Sequence, residues 1–172
     1  MQYPVRAIHP FAPIFSDASE QLILGSFPSV RSREAQFYYA HPQNRFWRVL
    51  SAVYGCKTPE TDGERTELIL SNGLGLWDVL ASCRVTGSAD STITDAIPND
   101  VAGLLRRAPI RRILVNGKTA ERYYNRFLRG TTGMEAICLP STSPANAAWS
   151  LERLIEVWRT ELTRSREIIL QI

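Results

Sequence analysis

Three short apolar runs constrain this chain more than anything else in it. They are "QLILGS" (21–26), "RRILVNG" (111–117) and "EAICLPS" (135–141), each closed by turn-forming residues. Apolar runs of this length without polar alternation fit strands buried on both faces. "GLGLWDVL" supplies a further strand candidate around 74–79. Helical patterns lie between them. Phe46, Trp47, Val49, Leu50, Val53 and Tyr54 recur at helical spacing behind Asn44, a good N-cap. "ERTELILSNG" reads as a helix ended by Gly73, "PNDVAGLLRR" as one capped by Asn99, and "KTAERYYNRFLRG" as one closed by Gly130. Leu151, Leu154, Ile155, Trp158 and Leu162 form the apolar stripe of a last helix. A sheet buried on both faces must be covered on both. The alternation therefore predicts an α/β layered domain with a mainly parallel sheet of about four strands. "GSADSTITDAIPND" (87–100) is the longest connection, and a mobile loop is expected there.

Composition narrows the class. With 172 residues the chain is expected to form one domain over 1–172, long enough to bury a core without staples. No apolar run approaches the length of a membrane span. The first residues lack a secretory pattern, so a cytoplasmic protein is expected. Cys56, Cys83 and Cys138 are odd in number and far apart, which fits free thiols in a reducing compartment. No C-x-x-C spacing and only two histidines, His9 and His41, argue against zinc or an iron–sulfur cluster. No cofactor is expected, and a monomer is. The net charge of +3 is mild and does not by itself indicate a nucleic-acid partner.

The polar residues collect at one edge. In open parallel sheets ligands bind outside the carboxyl ends of the strands. The first of these strands runs into Ser26, Phe27, Pro28 and Ser29; the second ends near Asp78; the third in Asn116, Gly117 and Lys118; the fourth in "PSTSPANA" (140–147). The loop "FYYAHPQN" starts from the same edge. This convergence marks a site. There is no G-x-S-x-G elbow, no phosphate-binding loop and no G-x-G-x-x-G. Amides, hydroxyls, aromatics and Arg remain. They suit reading a planar base by hydrogen bonds and stacking, with water as nucleophile.

Taken together, "LILGSFPS", "YYAHPQNRFW", "LVNGKTA" and "LPSTSPANA" resemble the uracil-DNA glycosylase superfamily, closest to its hypoxanthine-DNA (DNA-deoxyinosine) glycosylase branch. The likeness spans about residues 22–158. It implies a three-layer α/β/α sandwich with a central four-stranded parallel sheet. It also implies a monofunctional glycosylase that flips a deaminated base out of DNA, cuts its N-glycosidic bond with water and leaves an abasic site, without metal or cofactor. Phe27 stands where mismatch-specific uracil enzymes have a water-orienting Asn, and "STSPANA" lacks the His of many uracil enzymes. Both departures resemble the hypoxanthine branch. The alternatives are a mismatch-specific uracil-DNA glycosylase and a non-catalytic binder of damaged DNA.

The resemblance assigns Asn44 and Asn116 as catalytic. Asn44 would orient water or bond the base, although as an Asn before a helix it also reads as a cap. Asn116 offers donor and acceptor to a base edge, or a plain Asn-Gly turn. Tyr39 aligns with a base-stacking aromatic; such stacking is worth about 1–3 kcal/mol per base. Ser26, Phe27, His41 and Asp78 are base-binding candidates. Ser29, Ser141, Ser143, Pro144, Ala145, Asn146 and Lys118 are DNA-binding candidates, with hydroxyls suited to phosphates and the "SPANA" loop as wedge. Ser143 also reads as a helix cap with Pro144 at the first helical position. Arg31, Arg33 and Arg45 are further candidate phosphate contacts.

Overall fold

The computed structural model describes residues 2–169, with side chains to residue 164 in the last helix. In chain order, β1 (Val5–Ile8) and β2 (Gln21–Gly25) precede α1 (Val30–Ala35), α2 (Phe46–Tyr54) and α3 (Asp62–Ser71). β3 (Leu74–Asp78) and β4 (Leu80–Val85) follow, then a 3-10 turn (Asp90–Thr92), β5 (Thr94–Pro98) and α4 (Val101–Leu105). β6 (Arg112–Asn116), α5 (Lys118–Tyr123), α6 (Arg129–Thr132), β7 (Ala136–Leu139) and α7 (Leu151–Ile169) complete it.

The four apolar runs build the expected parallel sheet in the order β3-β2-β6-β7. Its central strand β2 is buried throughout and pairs in parallel with β3 and β6. Alternate residues of these strands feed two separate cores, as the pleat requires. Ile23 and Leu114 join Phe46, Leu50, Leu154 and Trp158 of α2 and α7 on one face. Leu22, Leu24, Ile113 and Val115 join Val101, Ala120 and Tyr124 on the other. These are the three layers.

The second face holds more than helices. β1, β4 and β5 form an antiparallel sheet in the order β1-β4-β5. The loop expected over 87–100 is therefore corrected: it contains the 3-10 turn and β5, which pairs with β4. Helix ends differ in detail too. Asp100, not Asn99, caps α4 by accepting from Gly103 N. Asn99 instead donates to the carbonyls of Asp78 and Leu80 and ties β3 to β4. The helical run after β6 does not stop at Gly130. It passes through a π turn (Tyr124–Leu128) and ends at Gly133, whose φ of 68° suits a left-handed cap. A capping box of Thr61 and Glu64 starts α3.

Leu50 is wholly buried between α2 and α7. Leu50→Ala is expected to cost about 2–5 kcal/mol, read in urea as a lower midpoint with an unchanged slope.

Candidate active site

The carboxyl ends of the parallel strands open into a cavity of about 580 Å³. Ser26, Phe27 and Ser29 enter it from the end of β2, Asp78 from β3 and Asn116 from β6. Tyr39, His41 and Asn44 enter from the loop before α2, and Ser141, Thr142, Ser143, Pro144 and Ala145 from the loop after β7. Most of the residues singled out in the sequence thus meet at one place. Two do not. Lys118 stands on the solvent side of α5, paired with Glu121 at 3.2 Å. Asn146 lies behind the wall, donating to the Ser141 carbonyl at 2.9 Å.

A chain of hydrogen bonds organises the site. Asn116 accepts from Thr142 N at 3.0 Å through Oδ1, and donates from Nδ2 to Thr142 Oγ1 at 2.9 Å and to Tyr39 Oη at 3.2 Å. The Thr142 hydroxyl, having accepted from Asn116, donates its own proton to Asn44 Oδ1 at 2.9 Å. Asn44 Oδ1 also accepts from Phe46 N at 2.9 Å. Asn44 therefore serves the start of α2 as a cap does, although Arg45 occupies the formal cap position. Asn44 lines the cavity with its oxygen held twice, while its amide nitrogen carries no hydrogen bond among the described residues. Thr142 is fully buried and was missed between Ser141 and Ser143, which looked alike in the sequence.

Tyr39 adopts φ 51°, which turns its ring back over the helix. The ring stacks on Phe46 at 4.0 Å with an interplanar angle of 17°, leaving its other side to the cavity wall. Burial first, and then the charge of Asp78, push the hydroxyls of Tyr38 and Tyr39 well above their usual range, so both stay neutral.

Asp78 is almost wholly buried, and its Oδ2 lies 2.7 Å from His9 Nε2. His9, 69 residues away in sequence, gave no signal of this pairing. Its Nδ1 is buried with no partner among the described residues. The second carboxylate oxygen, Oδ1, has no protein hydrogen bond among the described residues and faces Gly25, its neighbour across the β2–β3 pair.

The loops are held from behind. Arg45 donates to the carbonyls of Trp149, Ser143 and Asn146. Arg33 donates to Pro28 O and Gly87 O and lies over the Phe27 ring. Both guanidiniums thus brace loops. The Ser143 hydroxyl accepts from Ala145 N within a turn; no helix starts there, and α7 begins at Leu151. Ser29 caps α1, and His41 Nδ1 accepts from Gln43 N, closing the His-Pro corner. No group of three or more metal-ligating side chains occurs among the described residues, and no helix there is long and apolar enough to cross a membrane.

Gly25 is the tightest point. A Cβ there would lie 2.9 Å from Tyr39 Oη and closer still to Asp78 Oδ1. Gly25→Ala is expected to lose about 1–3 kcal/mol by overpacking, seen as a lower melting temperature.

Comparison with known proteins agrees with this geometry. The family model of the uracil DNA glycosylase superfamily matches residues 12–161. A Methanosarcina acetivorans protein named hypoxanthine DNA glycosylase is 39% identical over 145 residues, 83% of this chain and 90% of that one. A protein of the same name from Methanosarcina barkeri is 36% identical over 138 residues, 79% of this chain and 86% of that one. A solution NMR structure of a Methanosarcina acetivorans protein assigned to the uracil DNA glycosylases superposes with a TM-score of 0.77 at 36% identity, covering 90% of this chain and 95% of that one. This chain therefore belongs to the uracil DNA glycosylase superfamily.

Proposed function

We propose that this protein removes hypoxanthine from deoxyinosine in DNA by hydrolysing the N-glycosidic bond, leaving an abasic site. The observation that carries the reading is the Asp78 carboxylate in the cavity wall, with one oxygen held by His9 and the other without a hydrogen bond among the described residues. Hypoxanthine presents an N1–H donor beside its O6 acceptor. Adenine, the base from which it arises by deamination, presents a lone pair at N1 and an amino group at C6. Opposite N1, a carboxylate oxygen accepts the hypoxanthine N–H but meets a lone pair on adenine, which it repels. Sites built to hydrogen-bond one edge reject the analogue lacking it because their buried polar groups are left unpaired. The two relatives named hypoxanthine DNA glycosylase support the same substrate.

In this reading the flipped base lies against Tyr39, and Asn44 positions the attacking water through its free amide nitrogen. Asn116 acts through Thr142 and Tyr39, since both its amide protons are already engaged within the protein. The hydroxyls of Ser26, Ser29, Ser141 and Ser143 rim the cavity where phosphates flanking the flipped nucleotide would pass. Water attacks C1′ as the bond to N9 breaks, so positive charge grows on the sugar and negative charge on the base. Positioned dipoles and the DNA phosphates stabilise both.

Duplexes carrying deoxyinosine, deoxyuridine or deoxyxanthosine, incubated with the protein and then treated with alkali, test the substrate. Strand breaks at deoxyinosine are expected. Breaks at deoxyuridine alone favour the mismatch-uracil alternative, and binding without breaks favours a damaged-DNA binder. Asn44→Asp keeps the acceptor oxygen but loses the donor, so single-turnover release is expected to fall by about 10²–10³. Full activity in that variant contradicts the assignment.

A further inference from the structure

Asp90 lines the same cavity as Asn44 and Asp78, but it comes from a separate element, the 3-10 turn between β4 and β5. The turn is braced. Val30 N donates to Ser88 Oγ at 2.9 Å, Arg33 reaches Gly87 O at 3.4 Å, and Thr86 N donates to Thr92 Oγ1 at 2.9 Å. The Asp90 carboxyl stands over the end of β2, with each oxygen 3.4 Å from Ser26 Oγ, and the Thr119 hydroxyl of α5 also faces it. The charged groups around it are Asp78 from β3 and Arg122 from α5, and the Cys83 thiol of β4 lies within its field.

Water reaches Asp90 through the open mouth of the cavity. Even so, the protein crowding it raises its carboxyl above the usual carboxylate range; Asp78 adds to that, while Ser26, Thr119 and Arg122 oppose it. A base that fills the cavity displaces the water and pushes the carboxyl further the same way. Asp78, by contrast, has an oxygen committed to His9. One cavity thus carries two carboxyls in different company, the arrangement by which sites separate an acid from an acceptor.

A purine leaves more readily when its imidazole ring takes up a proton than as a bare anion. We propose that Asp90 is the general acid of this reaction, transferring its proton to N7 of the departing hypoxanthine. This rests on the reading of the protein as a hypoxanthine glycosylase. The C1′–N9 bond breaks with its electron pair passing into the purine, and the Asp90 proton goes to N7. Water oxygen bonds to C1′ and sheds its extra proton to solvent. Asp90, left as a carboxylate, is reprotonated from solvent after release of the base.

The test is single-turnover base release by wild type and Asp90→Asn, from duplexes carrying deoxyinosine or 7-deaza-2′-deoxyinosine, across pH. General acids contribute about 10²–10⁴, and a loss of that size on deoxyinosine is expected for Asp90→Asn. On the 7-deaza base, which has no N7 to protonate, the variant is expected to lose nothing beyond the wild type's own low rate. The wild-type rate on deoxyinosine should fall as pH rises through the raised Asp90 value, because the protonated form is the active one. The variant should lack that limb. Because the folded carboxyl titrates above its unfolded value, it destabilises the fold once pH has risen past both, so Asp90→Asn should melt no lower than wild type at pH above that limb. That separates lost chemistry from lost structure.

Three results overturn the proposal: Asp90→Asn within about threefold of wild type on deoxyinosine, well short of a general acid's usual contribution; an equal loss on the 7-deaza base; or an unchanged pH limb. If neither protein releases the 7-deaza base, the deoxyinosine rates and the pH limb decide. Failure of the wild type to release hypoxanthine sinks the parent reading as well. An active wild type with an unaffected variant sinks only the role of Asp90.

Discussion

The hydroxyl of Thr142 holds the site together. It is fully buried, accepts from Asn116 Nδ2 and donates to Asn44 Oδ1. A hydroxyl has one proton to give, so accepting from Asn116 on one side leaves that proton for Asn44 on the other. The Asn44 side chain is thereby held at its carbonyl oxygen by two donors, Thr142 and the first amide of α2. Three distant segments are joined: the end of β6, the loop after β7 and the entry to α2. Loss of the relay would leave buried polar groups without partners, which costs more than the bonds contribute when made.

The parallel sheet is what brings those segments together. β2, β3, β6 and β7 run the same way, so their ends share one edge. Close packing at that edge depends on Gly25, beside which Asp78 Oδ1 and Tyr39 Oη both lie. A side chain at Gly25 would occupy the space in which the Asp78 carboxyl and the Tyr39 hydroxyl are set. The same strand pairing therefore specifies both the fold and the wall of the cavity.

How much of this was legible follows from burial. β2 and β6 are continuous apolar runs because both faces are covered, and such runs are visible in sequence. The antiparallel sheet was not visible. β1 and β5 are four and five residues long and mostly exposed, with no apolar alternation to mark them. β4 follows β3 after the single residue Val79, and the strand expected around 74–79 stops where β4 begins. The loop between β4 and β5 then seemed free, although it carries Asp90 to the cavity. Asn44, Asn116, Tyr39 and Asp78 could be found because they sit at strand ends or in the motifs that resemble the superfamily. Thr142 and His9 could not, because their importance lies in partners 98 and 69 residues away.

The central claim is that the Asn44 amide works because Thr142 aims it. Single-turnover hypoxanthine release by Thr142→Ser and Thr142→Val, alongside binding of an uncleavable duplex, tests this most directly. Serine keeps the hydroxyl and should keep most of the activity. Valine keeps the shape without the hydroxyl; misplacement of a reacting group by an ångström can cost about 10²-fold, and a loss of that order with near-normal binding is expected. Equal rates for the valine variant and the wild type would contradict the account.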